Sequence, residues 1–197
     1  MVLGSHVILS AYGFWLPNDP RGSWSDFVGA WELVRFGRAT QVGTRCSVAS
    51  RPHNVSARQA AKRALKYPPV RFTGLQARAI GRSFAAFAAK SDLLIWACSI
   101  LPEHVHLVVA RHDYEVEQIV NLLKGEATRT LIAEDLHPLA RFSTNKGRQP
   151  PMWARGQWKV FLDNEAGIRR AIKYVEDNPA KEGKPPQRWS FVRAFDR

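Results

Sequence analysis

The apolar and polar positions along the chain change period several times, and each change predicts an element. HVILSAYGFWLP, residues 6–17, is dense in β-formers and ends at Pro17, which predicts an opening strand. From residue 18 the period is lost. Gly, Pro, Asn, Asp and scattered Arg predict a loop-rich insertion over 18–72 with only short helical turns, although SARQAAKRALKY (56–67) predicts a helix capped by Ser56. Helical spacing is clear in 73–92, where Leu75, Ala79, Ile80, Phe84, Phe87 and Ala88 form a stripe suited to packing on a sheet. Two apolar runs, 93–101 and 105–110, flank the turn PEH and predict an antiparallel hairpin. A second amphipathic helix follows over 115–134, with Val116, Ile119, Val120, Leu123, Ala127 and Leu131 on one side and Gly125 as its weak point. A basic, proline-bearing loop (141–157) leads to the short strand WKVFL. The helix after it, NEAGIRRAIKYVEDN, is expected to be capped by Asp163 and stopped by Pro179, with 180–197 as a C-terminal tail. No internal repeat or low-complexity tract interrupts this order. The order predicts a single α+β domain over 1–197, an antiparallel sheet with helices packed on one face.

Composition narrows the function. With 197 residues and 45% hydrophobic content the chain can bury one proper core. Its 29 Lys and Arg against 17 Asp and Glu give a net charge of +12, which favours a polyanionic partner, nucleic acid first. Two cysteines, Cys46 and an apolar-flanked Cys98, suit a reduced compartment and form no CxxC site. No segment approaches the ~18 apolar residues of a membrane span, and the opening residues lack a leader pattern. A soluble, cytoplasmic, nucleoid-associated protein without a membrane partner is therefore expected.

Candidate chemistry lies in two places. In LPEHVHLVVA, His104 and His106 are separated by one residue, so on a strand both imidazoles project to one side. Alone, such a pair is equally a hydrogen-bonded ornament of a sheet end. In the last helix Ile168, Ile172 and Val175 form the buried stripe, while Tyr174 and Asn178 lie one turn apart on its flank. Together these residues suit metal-assisted phosphodiester transfer: a tyrosine oxygen attacks phosphorus, and an amide oxygen completes a divalent-cation site begun by two imidazoles. A hydrolase of the H-x-H-x-D-H type is excluded because Val108 and Val109 occupy the Asp and His positions. A cupin-like site does not suit the long helices.

On LPEHVHL, MWARGQW, YVEDNPAKEG and RWSFVRAF, the sequence resembles the REP-associated tyrosine transposases, relatives of the single-tyrosine HUH transposases. The resemblance spans residues 73–197. It implies a ferredoxin-like HUH palm in which His104, His106 and Asn178 hold Mg²⁺ or Mn²⁺ and Tyr174 is the nucleophile. It further implies cleavage and strand transfer of hairpin-bearing single-stranded DNA in transposition, through a covalent 5′-phosphotyrosine. The long N-terminal insertion departs from compact members.

Binding residues are expected in the basic loop. Lys146, Arg148, Arg155 and Lys159, with Arg141 nearby, surround Trp153 and Trp158, so cations can track phosphates while an indole stacks on a base. The alternative use of either tryptophan is core packing. Arg21 and Trp24 raise the same possibility. A monomer or homodimer is compatible with the sequence, and the rival function is a domesticated protein that binds structured nucleic acid without cutting it.

Overall fold

The computed structural model describes residues 1–16, 31–37 and 52–196. Four strands, β1 (Gly4–Ser10), β2 (Ile95–Ile100), β3 (His104–Ala110) and β4 (Trp158–Leu162), form one sheet in the order β2-β3-β1-β4, every neighbouring pair antiparallel. The helices are α1 (Trp31–Val34), α2 (Val55–Arg63), α3 (Gly74–Ser91), α4 (Val116–Ala133) and α5 (Glu165–Lys181). With α3 joining β1 to β2 and α4 joining β3 to β4, this is the ferredoxin-like arrangement the sequence predicts.

Strand alternation divides the core in two. Val7 and Leu9 of β1 and Val105, Leu107 and Val109 of β3 point to one face, where Ile80 and Phe84 of α3 and Ile119, Leu123 and Leu131 of α4 cover them. Each such side chain, fully buried, contributes ~1.5–3 kcal/mol. Helices α3 and α4 thus share one face, as expected, but α5 packs on the opposite one. Its Ile168, Ala171 and Val175 meet Trp96, Ala97, Val108 and Leu162. A bulge in β2 sets Trp96 and Ala97 together opposite Val108, so both reach that second core. Helix periodicity identifies the buried stripe of α5; it carries no information on which side of the sheet receives it.

Several element ends differ from the sequence expectation. β1 stops at Ser10 because the chain turns at Gly13, whose φ of 81° is open to glycine at little cost. α2 is capped by Asn54 instead of Ser56, its Oδ1 accepting from Ala57 N at 2.9 Å. α5 is capped by Asn164 instead of Asp163, with Gly167 N donating to Asn164 Oδ1 at 2.8 Å. Pro179 lies inside α5. In the last turn it forfeits a single backbone bond, and the N–H groups of Glu182 and Lys184 close on its carbonyl at 3.1 and 2.9 Å. α4 runs unbroken through Gly125. Leu33 and Ala61 of the expected insertion form a small satellite core with Leu16; Arg21, Trp24 and Cys46 lie outside the described residues.

The C-terminal tail is ordered against the edge strand β2. Gln187 grips Ile100 through both amide atoms, donating to its carbonyl and accepting from its N–H at 2.8 Å each, and Val192 pairs in parallel with Ile95. Trp189 fills the surface over Gly81 of α3 so closely that a Cβ there would lie 2.2 Å from the indole. Gly81→Ala is therefore expected to destabilise the fold by ~1–3 kcal/mol through overpacking, despite the better helix propensity of alanine. In a Trp189→Ala background the same change should turn neutral or stabilising in urea melts. An equal loss in both backgrounds would mean that the indole is not what the Cβ meets.

Candidate active site

Strand β3 aims His104, His106 and Val108 at the α5 face, the side opposite the two crossover helices. The imidazoles lie 4.8 Å apart between ring centroids. His106 is buried, whereas His104 is partly open, with Phe14 stacked on it at 4.7 Å and Glu182 Oε1 at 3.9 Å from its Nε2. A third histidine, not anticipated from sequence, completes the floor. His6 of β1 places Nε2 3.1 Å from His106 Nδ1. Burial lowers the His6 pKa to about 4 and holds that of His106 well below the ordinary imidazole range, with the charges of His104, His6 and Lys181 adding to the latter. Both rings are thus neutral near pH 7.

Helix α5 supplies the roof. Tyr174 sits edge-on to His6 and His106, each ring centroid 5.6 Å from its own, and remains 40% exposed, so a strand can reach it. Burial raises the Tyr174 pKa and the Asn178 amide pulls it the other way. Lys181, two turns along, sets Nζ 4.4 Å from the Tyr174 ring centroid. It is a second residue that sequence inspection missed, although its i+7 spacing puts it on the same face as Tyr174. Asn178 is buried beneath Tyr174, and its Nδ2 makes no well-formed hydrogen bond. A buried amide left partly unsatisfied costs stability, so packing alone does not account for it.

Residues 64–178, more than half the chain, match the family model for IS200-like transposases. The chain belongs to the IS200-like transposase family. Among solved structures it is similar to a REP-associated tyrosine transposase bound to a REP hairpin, at 18% identity over 56% of this chain and 58% of that one, with a TM-score of 0.42. It is also similar to a protein assigned as a transposase in Deinococcus radiodurans R1, at 12% identity over 90% and 91% of the two chains, with a TM-score of 0.40. The chain thus spans little more than half the length of the first of these structures. No curated protein sequence matches it.

In this IS200-like transposase the region of the family match carries His104, His106, Tyr174 and Asn178, while His6 lies outside it. Among the described residues no three His, Cys, Asp or Glu side chains converge to hold a metal. A cation at His104 and His106 would draw its remaining ligands from amide, water or phosphate oxygens. Two imidazole nitrogens suit a borderline first-row divalent ion, Mn²⁺ among them, better than the harder Mg²⁺, and a neutral His106 offers a lone pair without first losing a proton.

The basic residues expected to bind DNA are divided in their placement. Lys146, Arg148 and Arg155 are exposed on the 141–157 loop. Lys124, buried in α4, ties that loop down by donating to Ala154 O at 2.9 Å and Gly156 O at 2.5 Å, and burial drops its pKa to about 8. Lys159 points to the α3 and α4 face, opposite Tyr174, and is ion-paired with Glu117. Trp153 is not placed to stack on a base. It is buried against Phe72, with ring centroids 5.0 Å apart, because the chain there pairs with Ala11 beside the main core. Trp158 stands opposite Ile8 on the active face and meets His6 edge-on at 5.3 Å. No helix among the described residues is long and apolar enough to cross a membrane.

Proposed function

We propose that this chain cleaves and rejoins hairpin-bearing single-stranded DNA of the REP type, with Tyr174 as nucleophile and Mg²⁺ or Mn²⁺ held by His104, His106 and Asn178. The observation that carries this is the seating of Tyr174, exposed yet 5.6 Å from the His106 ring across the α5–sheet cleft. The bound cation would supply Lewis-acid polarisation of the scissile phosphate. Tyr174 Oη gives up its proton to solvent and forms a bond to phosphorus as the P–O3′ bond breaks, and the departing O3′ takes a proton from solvent, leaving a 5′-phosphotyrosine and a free 3′-hydroxyl. Reversal of these steps onto a second 3′-hydroxyl rejoins DNA without an external energy source. Burial disfavours the phenolate and the Asn178 amide opposes that effect, while the Lys181 ammonium lies over the ring, 4.4 Å from its centroid.

The test is a labelled hairpin-bearing single strand incubated with protein and Mn²⁺ and resolved under denaturing conditions. A denaturation-resistant adduct is expected. Tight binding of that DNA with no adduct would instead support a non-cleaving structured-nucleic-acid binder.

Binding carries its own expectation. Replacing Arg148 and Arg155 with Gln should flatten the dependence of log affinity on log salt by roughly 0.7 per lost phosphate contact. Lys159→Gln should change the slope less, since its ammonium already serves Glu117. A larger change from Lys159 would put the DNA on the other face of the sheet.

A further inference from the structure

Beyond the four residues of the proposed chemistry, we propose that His6 is a positioning residue, holding His106 in the tautomer that keeps Nε2 free for the cation. The inference rests on the metal-site reading above and deepens it. A neutral imidazole has one N–H and one lone pair, so whatever binds one nitrogen decides what the other can do. His6 Nε2 lies 3.1 Å from His106 Nδ1, and no protein group among the described residues hydrogen-bonds His106 Nε2. If His106 carried its proton on Nε2, that N–H would have no protein acceptor and would block the lone pair a metal needs. With the proton on Nδ1, it donates to His6 and Nε2 is open.

His6 is a fixed acceptor. It is 7% exposed, lies stacked at 5.4 Å on His106 and is edged at 5.3 and 5.6 Å by Trp158 and Tyr174. It is also pinned by the central strand β1, which pairs with β3 on one side and β4 on the other. The same contacts explain why it is not itself a ligand: its Nε2 is spent on His106, and no three-histidine cluster forms among the described residues. A metal-bound imidazole whose other nitrogen donates to a fixed acceptor is oriented and made more basic.

Two variants test this, His6→Leu, which fills the space without an acceptor, and His6→Gln, whose amide oxygen can accept. In the metal-free full chain labelled with ¹⁵N-histidine, the wild-type His106 should show the Nδ1–H tautomer. His6→Leu should lose that preference and His6→Gln should keep it. Titrating Mn²⁺ without DNA, followed by the electron paramagnetic resonance of the free ion, should show affinity ~10-fold or more weaker for His6→Leu and largely restored in His6→Gln. An Nε2–H tautomer in the wild type, or equal Mn²⁺ affinity in wild type and His6→Leu, overturns the role of His6. Absence of Mn²⁺ binding by the wild type, with the Nδ1–H tautomer present and His6-dependent, overturns the metal site instead and leaves the tautomer assignment standing.

Discussion

Tyr174→Phe is expected to abolish the covalent protein–DNA adduct, with cleavage falling by at least about 10³-fold, because it removes the oxygen proposed to bond to phosphorus. The ring remains, and with it the edge contacts to His6 and His106 and the seat of Lys181. Stability should change by less than ~0.5 kcal/mol, since the side chain is 40% exposed. Binding of hairpin DNA should survive because no phosphate-tracking charge is touched. The other tyrosines are poorly placed to substitute. Tyr12 and Tyr67 contact each other at 6.1 Å, and Tyr114 sits against His112 at 4.9 Å. A full-strength adduct from the Phe variant would sink the assignment of Tyr174, and mapping the modified peptide would identify the real nucleophile.

Removing the metal ligands should have the next largest effect. Asn178→Ala, His104→Ala and His106→Ala are each expected to lower cleavage by about 10²-fold or more, as EDTA should in the wild type, because the Lewis acid loses a ligand or is absent. The three variants differ in their cost to the fold. His106→Ala strands His6 Nε2 in a buried site, at ~1–3 kcal/mol, so its lost activity mixes two causes. Asn178→Ala should cost the fold less, because its Nδ2 has no well-formed hydrogen bond to lose, but it also removes the amide that lowers the Tyr174 pKa. Asn178→Asp keeps an oxygen donor and should retain Mn²⁺ binding in a calorimetric titration. Cleavage by wild type undiminished in EDTA would refute metal dependence outright.

The strands and long helices were legible because their apolar periods are strong: the stripes of α3 and α4 and the hairpin of β2 and β3 were all readable from sequence. The motif pairs were legible too, since H-x-H and Y-x-x-x-N each fall within one element whose period fixes their relative direction. What crosses between elements was not. His6 is 100 residues from His106, and a lone histidine in a strand gives no sign of its neighbour until the register sets Ile8 opposite His106. Trp153 and Trp158 share a basic, aromatic stretch, and only the pairing of each with β1 or its extension sends one into the core and the other to the active face. Lys159 went astray for the same reason, being one residue from Trp158 and so on the reverse side of the sheet.

The central place of β1 bears on the order in which a growing chain can assemble the cleft. β1 pairs with β3 and β4, both distant in sequence, so the sheet beneath the site closes late, as non-local pairings do. Tyr174 arrives later still. A nascent chain that has emerged only as far as β4 can pair His6 with His106, yet it lacks the helix bearing Tyr174. Synthesis from N- to C-terminus therefore delivers the imidazoles before Tyr174, and a product truncated ahead of α5 would carry the floor of the cleft without the proposed nucleophile.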